Sequence, residues 1–230
     1  LVSIGLTEGQ IQHVENISSK EARFTDIDVP LDATVIKALK DQGNWPLYSH
    51  QALAVNKALA GENVMSATPS SSGKSMSYQL PVIESFVNEP DSKSLCIFPT
   101  KALARDQLLS FEKIGKCCKG KKLYTDVYDG DTPSSLRETI RQKADILLTN
   151  PDMLHYSILP CHKQWSHFFS ALKYIVLDET HVYRGIFGSN VSMVLRRLRR
   201  ICSYYGSNPV FILSSATIAN PDEHSKSLTG

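Results

Sequence analysis

The sequence predicts an α/β domain with a mostly parallel β-sheet and helices on both of its faces. Short β-rich runs alternate with helical patterns, and several of these runs are continuously apolar, as in strands buried on both sides. The predicted strands are residues 64–67, 95–98, 123–128, 146–149, 174–178 and 210–214. The predicted helices alternate with them, near residues 50–60, 74–87, 101–114, 133–143 and 188–205.

The segment after the first predicted strand is rich in small polar residues and reads TPSSSGKS at positions 68–75. A loop between a strand and a helix can turn its backbone N–H groups toward phosphate oxygens, and the helix adds its positive N-terminal end. Lys74 is then placed to reach the β- and γ-phosphates, and the Ser75 hydroxyl to hold Mg²⁺. Thr68 stands where the general pattern has glycine, and a flexible polar loop is the alternative interpretation. The residues predicted to bind the nucleotide here are Thr68, Ser70, Ser71, Ser72, Gly73, Lys74 and Ser75.

Two acidic residues, Asp178 and Glu179, follow the fifth predicted strand. An acidic residue at the end of an apolar strand can hold Mg²⁺ opposite the serine of a phosphate loop, and we assign this role to Asp178. Glu179 is the candidate base that orients or deprotonates an attacking water. Asp178, Glu179 and Lys74 are therefore the predicted catalytic residues, and a solvated loop is the alternative.

Further polar residues follow the other strands, so all of them are expected at one edge of the sheet, outside the carboxyl ends of the strands. Ser215 and Thr217 can hydrogen-bond the acidic motif and sense its state, and His181 is assigned with them to this coupling role. Gln51 offers a donor and an acceptor that match an adenine edge. Without this context, each would be an ordinary polar residue at the end of an element.

The bulk properties are those of a globular protein: 230 residues, 42% of them hydrophobic, and a formal net charge of +2. This charge does not itself indicate nucleic acid, so a local basic face would have to bind it. Five scattered cysteines favour reduced thiols in an intracellular protein. No apolar run reaches the length of a membrane span, and we expect no membrane partner. Because the chain begins at Leu1 without a signal-peptide pattern, we expect a piece of a longer protein.

The order of these motifs resembles the first RecA-like lobe of superfamily 2 helicases of the DExH type, over about residues 45–220. The resemblance rests on Gln51, Gly73-Lys74-Ser75, Pro99-Thr100-Lys101-Ala102-Leu103, Asp178-Glu179-Thr180-His181 and Ser215-Ala216-Thr217. It implies a RecA-like P-loop domain that binds ATP and Mg²⁺ and needs a second RecA-like lobe in cis. It also implies a nucleic-acid track formed by Pro99, Thr100, Lys101, Gly130, Thr149, Asn150 and Asp152.

Residues 181–189 and 196–201, together with the loop at 67–75, are most similar to the Hrq family of RecQ-related DNA helicases. This similarity implies ATP-driven 3′ to 5′ translocation on single-stranded or forked DNA, with strand separation, in DNA repair. The location that it implies is the nucleus in a eukaryote and the cytoplasm otherwise. On this interpretation residues 1–30 are an N-terminal lead-in, 31–220 the helicase ATP-binding domain, and 221–230 the start of a linker or the C-terminal end.

Two questions stay open on the sequence alone. The arginines at positions 196, 197, 199 and 200 share one side of a predicted helix, and this side is a phosphate-binding face, a solvated face or a contact with another domain. The second question is function, because a duplex-DNA or RNA translocase that moves without unwinding, or an ATP-gated nucleic-acid-binding module, would carry the same motifs. The presence of Glu179 and His181 argues against the module.

Overall fold

The computed structural model describes residues 21–69, 72–116 and 122–230. Within these residues, six strands form one sheet in the order β1-β6-β5-β2-β4-β3, and every pairing is parallel. The strands are β1 (Val64–Ala67), β2 (Lys93–Ile97), β3 (Thr125–Val127), β4 (Ile146–Thr149), β5 (Leu172–Leu177) and β6 (Val210–Ser215). The predicted α/β fold is confirmed, and the bounds of β1 and β4 agree with the prediction.

Helices connect the strands, as parallel pairing requires. The α-helices of the described residues are α1 (Ala33–Asp41), α2 (Ser49–Leu59), α3 (Met76–Asn88), α4 (Lys101–Gly115), α5 (Ser134–Lys143), α6 (Pro151–Met153), α7 (Ser166–Ser170), α8 (Gly185–Tyr204) and α9 (Pro221–Thr229). Shorter helical turns occur at Leu154–Ile158, His162–Trp165 and Thr180–Val182. In the part of the chain that the structure describes, none of the helices is both long and apolar enough to cross a bilayer.

Two apolar cores lie on opposite faces of the sheet, because successive side chains of a strand point to opposite sides. In β5, Tyr174 and Val176 join the core that packs against α1 to α4. Ile175 and Leu177, the alternate residues of the same strand, join the core formed with α5, α7, α8 and α9. This double burial explains why the central strands are continuously apolar, and it confirms that helices cover both faces.

The two ends of the described chain are packed more closely than the sequence predicts. Phe24, in the expected lead-in, forms a β-bridge with Tyr48, and the Arg23 carbonyl accepts a hydrogen bond of 2.8 Å from the Ser49 amide. The remainder of the lead-in, residues 1–20, lies outside the described residues. At the other end, residues expected to begin a linker form α9, which packs on α8 and buries Leu228.

Candidate functional site

The order of the strands sorts the sequence motifs into two neighbouring groups at one edge of the sheet. The phosphate loop, the acidic motif and the Ser215–Thr217 segment follow β1, β5 and β6, which lie side by side. The predicted nucleic-acid segments follow β2, β3 and β4, which form the other half of the sheet. The carboxyl edge therefore carries a nucleotide-type site and a second polar surface next to each other.

The phosphate loop is closed on itself through its lysine. Lys74 Nζ donates hydrogen bonds to the carbonyl oxygens of Thr68, at 3.0 Å, and of Pro69, at 2.9 Å. The hydroxyls of Thr68 and Ser72 lie 2.7 Å apart, in a second contact across the loop. A bound phosphate would compete with two carbonyl oxygens for the Lys74 ammonium. The predicted ligands Ser70 and Ser71 lie outside the described residues.

Gly73 and Gln51 form a close contact that holds the loop against α2. Gly73 has a positive φ of 74°, which glycine adopts readily. A Cβ at this position would lie 2.6 Å from Gln51 Nε2, so the site has no room for a side chain. Gln51 Nε2 donates to the Gly73 carbonyl at 2.8 Å, and Gln51 Oε1 accepts from the Tyr48 amide at 2.9 Å. In this structure the amide of Gln51 therefore positions the loop, and its contact with adenine stays a prediction.

Stacked aromatic rings lie beside the loop, and the sequence analysis did not assign them to the site. The ring of Tyr48 stacks on Phe24 with centroids 5.2 Å apart, and on His50 with centroids 5.8 Å apart. His50 Nε2 lies 3.0 Å from the Ser72 carbonyl oxygen, so the stack adjoins the phosphate loop. Tyr48, His50 and Ser72 line a cavity of about 710 Å³, together with residues 21–23 and Ser49. Their closeness to Gln51 in the sequence was the available signal.

Asp178 and Ser75 flank the buried hydroxyl of Tyr78. The Tyr78 oxygen lies 3.0 Å from Asp178 Oδ2, and the Ser75 side chain lies against the same hydroxyl. Burial, and then the charge of Asp178, raise the pKa of Tyr78 well above its ordinary value, so Tyr78 stays a neutral donor. A carboxylate and a serine hydroxyl are oxygen ligands of the type that Mg²⁺ takes, so the predicted ligands Ser75 and Asp178 fit this ion.

Glu179 has a left-handed backbone, with φ of 51° and ψ of 43°, which is rare for a residue other than glycine. Its amide donates to Asp178 Oδ1 at 2.9 Å, and this bond holds the turn. Such a conformation costs about 1–3 kcal/mol, and it persists only where the surrounding structure imposes it. Although Asp178 and Glu179 are neighbours in the sequence, Asp178 contacts Tyr78 and Glu179 contacts His181.

His181 lies between the acidic motif and the end of β6. Its Nδ1 atom is 3.3 Å from the Ala216 amide nitrogen and 3.1 Å from Glu179 Oε2. The first contact needs a lone pair on Nδ1 and the second needs a proton there, so the two are alternatives that depend on the tautomer of the ring. His181 therefore lies within contact distance of both Glu179 and the segment after β6, and its coupling role stays a prediction.

The other two predicted coupling residues differ from His181 in their contacts. Ser215 acts through its backbone, because its carbonyl accepts a hydrogen bond of 3.3 Å from the Thr68 amide. Among the described residues, no hydrogen-bond partner is found for the buried Ser215 hydroxyl. Thr217 is exposed at the same edge. Ser215 thus connects β6 to the phosphate loop, and the expected contact of its hydroxyl with the acidic motif is not formed.

The second polar surface centres on a salt bridge between the first nucleic-acid segment and the turn after β3. Lys101 Nζ lies 2.6 Å from Asp131 Oδ1, and Arg105 Nη2 lies 3.2 Å from Asp131 Oδ2. The hydrogen bond from Lys101 is the main cause that lowers the pKa of Asp131, which is therefore ionised at neutral pH. A Cβ on Gly130 would lie at an ordinary contact distance of 3.6 Å from Lys101 Nζ, so Gly130 is next to the lysine.

The remaining nucleic-acid candidates divide into exposed residues and residues that support the loops. Thr149 is a correction to the predicted track, because its side chain is buried and its Oγ1 donates to the Tyr128 carbonyl at 2.7 Å. Asn150 Oδ1 accepts from the Met153 amide at 2.9 Å and so caps α6, and Thr100 caps α4. The residues exposed at this surface are Thr100, Lys101, Gly130 and Asp152, and Pro99 is half-buried beside them.

The arginines of α8 lie away from the nucleotide-type site. Arg199 Nη1 donates to the carbonyl oxygens of Thr229, at 3.0 Å, and Gly230, at 2.6 Å, and so caps the end of α9. Arg196 donates to the Ser192 hydroxyl. Arg200 lines a cavity with residues near the amino ends of β1 and β6, at the sheet edge opposite the motifs. The helix therefore supports α9, and the phosphate-binding interpretation gains no contact near the motifs.

A family model described as DEAD/DEAH box helicase matches residues 48–224, which include both groups of motifs. The chain belongs to the DEAD/DEAH box helicase family. It is 45% identical to the "uncharacterized ATP-dependent helicase YprA" of Bacillus subtilis, with 93% of this chain and 28% of the relative aligned. It is 44% identical to the ATP-dependent helicase HRQ1 of Saccharomyces cerevisiae, with 96% of this chain and 20% of the relative aligned. The predicted resemblance to Hrq-type helicases is confirmed.

Solved structures agree with this membership of the helicase family. A crystal structure of the DUF1998 helicase MrfA bound to DNA and AMPPNP superimposes with a TM-score of 0.90, at 45% identity, over 93% of this chain and 30% of that one. The helicase Lhr of Mycobacterium smegmatis, at 23% identity and a TM-score of 0.71, shares the fold. The RecA-like lobe predicted for this chain is confirmed. The chain spans less than a third of the length of these curated relatives.

Proposed function

We propose that this chain is the ATP-binding lobe of a DNA helicase. On this proposal the intact protein couples ATP hydrolysis to 3′ to 5′ movement along single-stranded or forked DNA and to strand separation, in DNA repair. The observation that carries the proposal is the order of the strands, in which β5 with the acidic motif lies directly beside β2 with the Lys101 surface, and β1 with the phosphate loop lies two strands beyond β5. One sheet edge can then hold a nucleotide and a nucleic-acid backbone at the same time.

The nucleotide half of the proposal assigns a task to each side chain of the first group. Lys74 exchanges the Thr68 and Pro69 carbonyls for β- and γ-phosphate oxygens. Ser75 and Asp178 hold Mg²⁺, which neutralises charge on the phosphates when it is bound. Glu179 accepts the proton of the attacking water, and His181 passes the state of Glu179 to Ala216. The stacked rings beside Ser72 provide the surface for the base.

The DNA half of the proposal assigns Lys101 and Arg105 to the phosphate backbone. Both side chains are paired with Asp131 in this structure, and they would exchange that carboxylate for phosphate oxygens. Contacts of this type bring a strong salt dependence and little sequence preference. The neighbouring structure of MrfA is described as bound to DNA, which supports DNA as the ligand here.

A second RecA-like lobe in cis is part of this proposal. An arginine finger that stabilises the transition state of phosphoryl transfer contributes about 10³–10⁵ in rate. Arg196 and Arg199 are engaged in contacts of α8 and α9, with Ser192 and the Thr229 carbonyl. We therefore expect the 230 residues alone to bind ATP weakly and to hydrolyse it very slowly. For the intact protein we propose a nuclear location in a eukaryote and a cytoplasmic one otherwise.

The test of the proposed function is Lys74→Ala in the intact protein, measured by Mg-ATP hydrolysis with and without single-stranded DNA. Hydrolysis should be abolished, because the loop loses its cation. The matched control is Lys101→Ala, which removes the same charge from the other surface and should keep basal hydrolysis while it weakens DNA binding. Unchanged hydrolysis in the Lys74 variant would overturn the assignment of the site. A forked-duplex assay on the same protein distinguishes strand separation from translocation alone.

A further inference from the structure

We propose that His224 is a positioning residue that transmits the nucleotide state of the acidic motif to helix α9. His224 Nε2 lies 2.9 Å from the carbonyl oxygen of Thr180, the residue that follows Asp178 and Glu179. Because a carbonyl only accepts, His224 must carry its proton on Nε2. This proposal rests on the proposed function, since it needs a nucleotide that changes the acidic motif.

The hydrogen bonds of the Thr180 carbonyl help to fix the turn that contains Asp178 and Glu179. Thr180 is fully buried, and its carbonyl also accepts the Tyr183 amide at 3.0 Å, so His224 supplies the second of two hydrogen bonds. The residue before it is Glu179, whose left-handed backbone is held in place by its surroundings. A change at Glu179 on binding or hydrolysis of nucleotide therefore reaches Thr180 through a single peptide bond.

The chain after β6 makes two contacts with the acidic motif. The Ala216 amide contacts the His181 ring, and His224 contacts the Thr180 carbonyl. Ala216 and His224 belong to one short stretch of chain that runs from the end of β6 into α9. A shift of the turn against this stretch must move α9, break the His224 contact or both. The contact thus provides a physical connection between the site of hydrolysis and the C-terminal helix.

The attachment of α9 to the rest of the fold does not depend on His224. The Ser192 hydroxyl donates to the Ser227 carbonyl at 2.9 Å, Leu228 is buried in the core with α8, and Arg199 caps the last turn. These contacts join α9 to α8, whereas His224 joins it to the acidic motif. The distinction allows attachment and transmission to be tested separately.

The experiment compares His224→Ala, His224→Gln and the control Ser192→Ala in the intact protein. The readouts are ATP hydrolysis, its KM for ATP and its stimulation by single-stranded DNA. We expect His224→Ala to lower the DNA stimulation about threefold to tenfold with an unchanged KM, the range that one hydrogen bond accounts for. His224→Gln, which keeps an N–H donor, should restore part of the stimulation. Ser192→Ala removes a contact between α9 and α8 and should leave the stimulation unchanged.

Three outcomes would overturn the proposal: full stimulation in His224→Ala, an equal loss in Ser192→Ala, or a rise in KM alone. A measurement on the wild-type protein guards against misfolding of the variants. Amide hydrogen exchange in residues 221–229 should change when AMPPNP binds, and an unchanged rate would also count against the proposal. If the wild-type protein shows no DNA-stimulated hydrolysis, the proposed function fails before His224 is tested.

Discussion

The hydroxyl of Tyr78 donates toward Asp178 Oδ2, 3.0 Å away, across the boundary between α3 and β5. The same hydroxyl lies 2.9 Å from Gln107 Oε1, and because it has one proton it serves one of these acceptors at a time. Helix α3 begins at the phosphate loop and β5 ends at the acidic motif. Tyr78 therefore connects the two halves of the nucleotide site from beneath.

We expect Tyr78→Phe to lower the free energy of unfolding by about 1–3 kcal/mol, because it leaves a buried carboxylate oxygen without its donor. The measurement is chemical denaturation. Tyr174→Phe is the matched control, since Tyr174 is equally buried but its hydroxyl makes only a 3.4 Å hydrogen bond to the Ala58 carbonyl. An equal loss in both variants would show that the hydrogen bond from Tyr78 to Asp178 makes no extra contribution to the free energy of unfolding.

We expect Glu179→Gln to keep nucleotide binding and to lower turnover by about 10²–10⁴, because the amide keeps the size of the side chain but cannot accept the proton. Binding is measured with a fluorescent ATP analogue and turnover by phosphate release, both on the intact protein. Glu138→Gln, a change of the same type on the exposed side of α5, should alter neither. If binding disappears together with turnover, Glu179 has a structural role at its left-handed turn.

We expect Asp131→Asn to strengthen DNA binding, because it frees Lys101 and removes one of the two carboxylates near Arg105, which keeps Asp129 at 3.9 Å. Lys101→Ala should weaken binding equally across sequences and lower the slope of log affinity against log salt by about one. Asp222→Asn is the control, since it also releases a lysine from an exposed pair, at 2.8 Å, but on α9. Binding that depends on the base sequence would indicate base readout and contradict the backbone assignment.

We expect Asp145→Asn to destabilise the fold by about 3–5 kcal/mol, because it leaves the buried ammonium of Lys93 without its charged partner. These side chains are 2.8 Å apart and almost fully buried, at the start of β2. Glu62→Gln, which breaks the exposed pair with Lys57, should cost less than about 1 kcal/mol. Similar losses in the two variants would mean that burial does not determine how much the Lys93–Asp145 pair contributes to the free energy of unfolding.

The strands were predictable because strands buried on both faces appear in the sequence as continuous apolar runs. Ile175 and Val176 face different cores, and both must be apolar. Helix α1 was missed because it is short, although Asp32 caps it through the Thr34 amide and Val35 and Leu39 are buried. The order of the strands was also out of reach, because it depends on pairings between distant residues, and the chain pattern predicts only that the strands are parallel.

The candidate site shows the same division between local and distant information. The Gly73-Lys74-Ser75 loop and the acidic motif are local patterns, and they were found. Thr149 was assigned to the nucleic-acid surface by its place in a motif, but its hydroxyl bonds to Tyr128, a partner 21 positions away. The role of His224 was invisible for the same reason, because Thr180 lies 44 positions earlier. Contacts between residues this far apart in the sequence can be identified only when the fold is known.

The pairing of β1 has a consequence for synthesis of the protein. This strand carries the phosphate loop, lies at the edge of the sheet and pairs with β6, and the Phe211 amide reaches back 148 positions to Asn63. At about 5–20 residues per second, a ribosome needs about 7–30 s to make that stretch. During this time the nascent loop has no neighbouring strand to align it. The phosphate loop can therefore take up its final position only late in synthesis, once β6 has been made.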